Sequence, residues 1–403
     1  LHLKTNSIGD PCGILVTIEG WGVNLAGCYG NALLPTPNVD RLAAHGTVFD
    51  QFWMHSIHLE PNLQAILQGL QPDGWLVASD SLQAIGMLRQ HEGLDRLEVC
   101  PSLQQESFER LLTESLECWL EQRHKTPFLW IHSKGLHGTW DAPYEFRKLM
   151  CDSQDPDPPL DQVPPELVLS SDFDPDLLFG YACGAGAQSI CIDQGLGLIL
   201  QTLEEFGISE NCWISMAGIL GFPLGEHCRV GLGDRSMGFI KGNYPIADAY
   251  SERLHTPWII RPAQKMDLGV RVSQLYQPRH LGRWVEQITQ GSGRFDSDET
   301  SPRGQLAWAS GVDEIALWTE RWSARFDTTG NPEGRISLSD ERLGEVYCFP
   351  EDRWQQNEIA NRVPEVQLLL RQIASLLLDT VPSVELHSSE IEALLSDLQS
   401  FRR

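Results

Sequence analysis

The sequence predicts an α/β protein with a parallel or mixed sheet, followed by a smaller region of antiparallel sheet and helix, and three observations carry that expectation. Short runs at 14–18 (ILVTI), 128–131 (FLWI) and 212–217 (CWISMA) are almost wholly apolar and rich in β-branched or aromatic residues, as in strands covered on both faces. Between them, 108–123 and 179–206 carry apolar residues every three or four positions, the spacing of a helix with one buried face. Beyond residue 306 short alternating segments at 306–308, 314–318 and 322–326 replace that rhythm.

The first unit runs from 14 to 50. Its strand ends at Glu19, Gly20, Trp21 and Gly22, and the carboxyl end of a strand is where α/β sheets place their ligands. Pro35 and Pro37 stiffen the approach to a helix that Asn38 is placed to cap, with Val39, Leu42 and Ala43 as its apolar face and Gly46 as its end. A second helix follows within 55–71. Ser56 and His58 fall close together before it, but no third orienting group accompanies them, so they do not make a hydrolytic triad.

A strand and helix are expected over 76–96, and an outer helix over 108–123 through Leu111, Leu112, Leu116, Trp119 and Leu120. The strand at 128–131 leads into HSKGLHGTWDAPYEF, which sets Lys134 and His137 at its carboxyl end. Cations there suit an anion, and a histidine there serves equally as a structural hydrogen-bonder. Residues 152–176 are acidic and proline-rich, the composition of a surface excursion with polyproline character. In the long helix over 179–206, Gly180, Cys183, Gly184 and Ala187 read as close packing of helix on sheet; no Lys-Ser/Thr follows the GAGA run, which argues against a phosphate loop. The strand at 212–217 precedes GILGFPLGEHCRVG. Composition makes 290–304 the linker, so the expected division is an α/β domain at 1–285, a linker at 286–305 and a smaller domain at 306–403 whose helix runs through Leu368, Leu369, Ile373, Leu376 and Leu377.

Fifty-five acids against 30 bases leave a net charge of −25 over 403 residues. Long-range repulsion disfavours nucleic acid and anionic membrane surfaces as partners, and no apolar run is long enough to span a bilayer. Self-association or an unidentified protein partner is the remaining expectation. Ten cysteines lie scattered without CxxC pairs, which reads as free thiols in a reducing compartment and favours the cytoplasm. The first residue is Leu1 in place of Met, which leaves room for a removed export leader.

The segments LAGCYGN and TPNVDRLAAHGTVFDQFW closely resemble the N-terminal signature of sulfatases in the alkaline-phosphatase-like superfamily, and LGEH at 224–227 and GEVYCFPEDRWQQNEIANRVPEV near the C-terminus resemble later parts of the same family. The resemblance implies a three-layer α/β/α sandwich with a smaller C-terminal α+β domain, and a site made of metal ligands and a nucleophile. In that frame Leu59 takes the nucleophile position, while Asn62 and Leu63 replace the family's Ser and Arg. Glu19 and Gly20 take the first acidic pair, Ile219 and Leu220 the second ligand pair. His137 matches the histidine that contacts sulfate, His227 the histidine of the LGEH pattern, and Tyr276 an aspartate position. A family basic residue falls near Ala247, with Lys241 upstream.

A leucine cannot attack sulfur or phosphorus, and one carboxylate cannot hold a divalent ion that takes six or more oxygens. The resemblance therefore implies a vestigial site at Glu19, Gly20, Leu59, Ile219 and Leu220, with no catalytic residue, no metal and no cofactor. A non-catalytic binding or assembly protein is the expectation. Its rivals are an active sulfate- or phosphate-ester hydrolase with a rebuilt site, and a small-anion or sugar receptor using Lys134, His137 and His227. The three aliphatic side chains are expected to meet as an apolar plug beneath a shallow mouth lined by Glu19, His137 and His227.

Overall fold

A computed structural model of the chain describes residues 12–70, 74–90, 107–231, 249–263, 269–289, 305–311, 313–328, 344–380 and 389–401. Its large sheet is built from β1 (Cys12–Gly20), β2 (Thr47–Phe52), β3 (Trp75–Ser79), β4 (Phe128–Ser133), β6 (Cys212–Gly221), β8 (Trp258–Arg261) and β9 (Val270–Tyr276), with a two-residue ribbon of β5 (Leu167–Val168) and β7 (Arg229–Val230) apart from it. The order across the sheet is β3-β4-β1-β6-β8-β2-β9. All neighbours are parallel except β8, which runs antiparallel to both β6 and β2.

Residue parity shows why the runs are almost wholly apolar. Ile14, Val16 and Ile18 of β1 face one apolar cluster and Leu15 the other; Leu129 and Ile131 of β4 face the first, Phe128 and Trp130 the second. Helices cover both sides, so neither face meets water. On the first side lie α1 (Pro37–Ala44), α4 (Phe108–Gln122) and α6 (Pro175–Glu205), through Val39 and Leu42, Leu112 and Leu116, Leu196 and Ile199. On the second lie α2 (Leu59–Gly69), α3 (Leu82–Leu88) and α8 (Pro278–Thr289), through Leu63 and Ile66, Leu88, Leu281 and Val285. Of the short helices, α5 (Tyr144–Lys148) packs on α6 and α7 (Ser251–Leu254) on β6. This is the three-layer sandwich expected from the resemblance.

The C-terminal region forms a four-stranded antiparallel sheet of β10 (Leu306–Ser310), β11 (Glu314–Thr319), β12 (Trp322–Asp327) and β13 (Gly344–Cys348). One face, with Ala307, Ala309, Ala316 and Trp318, joins the second cluster of the large domain. The other, with Ile315, Leu317 and Phe326, packs on α9 (Pro364–Thr380) and α10 (Ser389–Ser400) through Leu370, Ile373, Leu377 and Leu395.

Several local expectations are corrected. Asn38 does not cap α1: the cap position is Thr36, Pro37 opens the helix, and Asp193 of α6 supplies the missing acceptor, taking the backbone N–H groups of Asn38 and Val39 at 2.8 Å each. The strand predicted to stop at 217 continues to Gly221, every residue buried, because apolar Ile219 and Leu220 prolong the pattern. The small residues of α6 meet side chains more than the sheet: a Cβ on Gly180 would stand 2.6 Å from Pro159 Cδ, and one on Gly184 would strike the Trp140 ring. Helix α8 runs through Thr289, past the expected start of the linker at 286, and 290–304 lies outside the described residues.

Candidate functional site

The site starts from the register between β1 and β4, which sets Thr17 opposite His132 and Ile18 opposite Ser133. Thr17 and Glu19 share the face of Leu15, and His132 shares the face of Trp130, so all four point to the same side of the sheet. Trp130 Nε1–H donates to Thr17 Oγ at 2.8 Å, Thr17 Oγ lies 2.9 Å from His132 Nδ1, and His132 Nε2 lies 3.0 Å from Glu19 Oε1. Beyond β4, a 3-10 turn at Gly135–His137 folds back over the end of β1, and His137 Nδ1 reaches Glu19 Oε2 at 3.1 Å. Gly135 turns at φ 49° hard against the Glu19 carbonyl, an approach that a side chain would block.

Burial pushes the Glu19 carboxyl up, but hydrogen bonds from His132 and His137 outweigh it and leave the group at about 2. Ionised Glu19 only accepts, so His132 donates from Nε2 and His137 from Nδ1, and the other nitrogen of His132, Nδ1, pairs with the Thr17 hydroxyl. Each member but one is satisfied: His137 Nε2 is buried and has no hydrogen-bond partner. It looks toward Gly20, where an added Cβ would lie 3.1 Å from it and 2.8 Å from Leu136 Cβ, at a backbone φ of +77°.

Lys134 and His137 line one cleft of about 760 Å³, together with Asp80, Asp141, Gln162 and Gln188. Asp80 accepts the Lys134 N–H at 2.8 Å and the Ser133 hydroxyl at 3.1 Å; burial nevertheless raises its carboxyl above the usual range.

His227 stands elsewhere. It lies in the left-handed region at φ 47°, its ring stacked on Tyr250 with centroids 3.6 Å apart. Nδ1 is 2.8 Å from Glu252 Oε1 and Nε2 is 2.9 Å from the Gln355 carbonyl, so both nitrogens face acceptors. Burial disfavours the charge, but the Glu252 hydrogen bond prevails and raises the His227 pKa. The expected mouth shared by Glu19, His137 and His227 is thus corrected: Glu19 is buried under the two histidines, His227 bonds to Glu252 and Gln355, and the cleft beside His137 is lined by neither.

The three aliphatic residues all belong to the apolar side of the sheet that the second cluster covers. Ile219 and Leu220 are buried in the second cluster, and half-buried Leu59, the first residue of α2, packs against it. Leu220 has φ 61° at a bulge, where Glu19 pairs with Ile219 but Gly20 pairs with Gly221. Asn62 organises the turn into α2: its amide donates to the carbonyls of Ser56 and His58 at 2.8 and 2.7 Å, and its oxygen accepts the His55 N–H at 3.0 Å. Tyr276 is buried among aromatics; Lys241 and Ala247 lie outside the described residues. Among the described residues no group of three His, Cys, Asp or Glu side chains is placed to hold a metal, and no helix is long and apolar enough to cross a membrane.

Sequence reasoning missed Thr17, Trp130 and His132. One signal pointed to them: Thr17 and Glu19 stand two apart on a buried strand, and a polar residue in such a strand needs a partner on its neighbour.

No protein-family model matches the chain. Over 69 residues it is 35% identical to human steryl-sulfatase, a stretch covering 17% of this chain and 12% of that protein. Solved structures match throughout. BT4656, in complex with its substrate D-glucosamine-2-N,6-O-disulfate, gives a TM-score of 0.65 at 14% identity over 93% of this chain and 99% of that one. The phosphonate monoester hydrolase of Agrobacterium radiobacter gives 0.63 at 13% over 92% and 95%, and the 2-O GAG sulfatase BT1596 gives 0.61 at 13% over 98% and 94%. The chain has the sulfatase fold.

Proposed function

We propose that this chain is a non-catalytic binding or assembly protein on a sulfatase fold. The observation that carries the reading is Glu19, the one carboxylate at the four ligand positions assigned by the resemblance, whose two oxygens are both taken by His132 and His137. Gly20 beside it has no room for a side chain, since Leu136 and His137 stand under 3 Å from where its Cβ would go. Ile219 and Leu220 are aliphatic and buried. Such a donor set does not fit a divalent cation, which needs several free oxygens. Leu59 at the nucleophile position removes the other large contribution to ester hydrolysis.

The test is elemental analysis of the purified protein joined to arylsulfate and arylphosphate assays. Absence of stoichiometric calcium, magnesium or zinc together with absence of turnover is expected. One divalent ion per chain at Glu19, or turnover abolished by chelator, would favour the rival reading of a hydrolase with a rebuilt site.

A second reading is favoured by the cleft at Lys134 and His137. Lys134 supplies a cation to this cleft beside the Gln162 and Gln188 amides, a suitable set for a small anion or a sulfated sugar. Calorimetric titration with inorganic sulfate and with a sulfated glucosamine distinguishes the readings: binding lost in Lys134→Ala supports the receptor, and no heat with either ligand removes it.

A further inference from the structure

Helix α6 makes a close seat for the segment that follows β4. Pro159 rests on Gly180, the Trp140 ring on Gly184 and Met150 on Gly186. Arg147 ties the segment from within, donating to the carbonyls of Trp140 at 3.0 Å and Asp161 at 2.9 Å and also to that of Pro159. Tyr144 Oη donates to the Pro158 carbonyl at 3.1 Å. The strapped excursion then supplies Gln162, Val163 and Pro164 to the wall of the cleft that holds Lys134 and His137.

In this seat two thiols face each other. Cys151, three residues beyond α5, sets its Sγ 3.7 Å from Cys183 Sγ on α6. Cys151 is half-buried and Cys183 buried, and both are free. A disulfide bond is about 2.05 Å long, so the sulfurs need approach by less than the width of an atom, and Cys151 sits in a turn with no ladder to break.

We propose that Cys151 and Cys183 are a latent disulfide, closed by a low-molecular-weight disulfide oxidant, that staples the 152–166 excursion and the cleft wall to α6. Cys151 is the entry thiol because it alone of the pair meets solvent; burial pushes Cys183 up to about 12 and keeps it protonated. Its thiolate attacks the oxidant RSSR, forming a mixed disulfide and releasing RS⁻. Cys183 then loses its proton and attacks the Cys151 sulfur, expelling a second RS⁻. Two protein thiols are oxidised and one RSSR is reduced to two RSH. The inference is independent of the proposed function.

The experiment uses the full chain, reduced, freed of reductant and incubated with oxidised glutathione, then alkylated and digested without reduction for peptide mass mapping. Expected are a linked Cys151–Cys183 peptide pair two hydrogens lighter than its parts, loss of alkylation at both positions, and reversal by dithiothreitol. Protease nicking within 152–174 should slow by about threefold or more, since the crosslink restrains local opening. Cys183→Ala should stop at glutathione on Cys151, and Cys151→Ser should leave Cys183 an unmodified thiol. Cys12 and Cys212, opposite each other on buried strands, should remain unlinked in the folded protein. The proposal is overturned if the native protein halts at the mixed disulfide with Cys183 still open to alkylation, if the link forms only in denaturant, or if nicking is unchanged by it.

Discussion

Glu19 Oε2 accepts a hydrogen bond from His137 Nδ1 at 3.1 Å, with both side chains less than a tenth exposed. The bond holds the ring so that Nε2 turns toward Gly20.

Glu19→Gln should cost roughly 3–5 kcal/mol at neutral pH, because it removes the charge that two buried histidines were placed to meet. The wild-type group stands at about 2 against an ordinary 4.5, so a lowered folded value gives a contribution complete above 4.5 and lost as pH falls toward 2. Urea denaturation of both proteins at several pH values checks this. The gap between them should be constant above the window and narrow within it; a gap independent of pH would count against the ionised network.

His227 works with the opposite sign. Its folded value lies above the ordinary 6.5, so its contribution is complete below 6.5 and lost as pH rises through the raised value. The same loss frees the bond to the Gln355 carbonyl or to Glu252. His227→Gln should therefore be less stable than wild type in mild acid and approach it in base. Equal separation of the two denaturation midpoints across that range would reject the imidazolium.

Ile219→Asp should lose about 4 kcal/mol or more, since the new carboxylate would be buried without a partner. Ile219→Val should lose only about 1 kcal/mol. Chelator should leave the melting temperature of the parent unchanged. An Ile219→Asp variant as stable as the parent, or one stabilised by calcium, would show that the position still faces a polar site.

Asp193→Ala should cost about 2–3 kcal/mol. It removes the acceptor for the Asn38 and Val39 N–H groups and for the Asn38 amide at 2.9 Å, leaving the start of α1 uncapped. Hydrogen exchange should quicken first in residues 37–44. Protection there equal to wild type would mean that Thr36 or solvent suffices as the cap.

The strands at 14–18, 128–131 and 212–217, the helices at 108–123 and 179–206, the cover on both faces of those strands and the aliphatic character of Leu59, Ile219 and Leu220 were legible in the sequence, whereas β2, β9, α8 and α10 were not read from it. Each legible element rests on a period of two or 3.6 within a dozen residues, and burial enforces that period wherever a strand or helix forms. Tertiary structure alone decided the rest. Thr17 and His132 are 115 positions apart, Asn38 and Asp193 155, His227 and Gln355 128, and Cys151 and Cys183 32. Such pairs are selected by which strands adjoin and how far each helix reaches. The bulge at Leu220 likewise arises from pairing with β1. Hydrogen bonds and close contacts of this kind act over about 3 Å in space and leave no periodic trace along the chain.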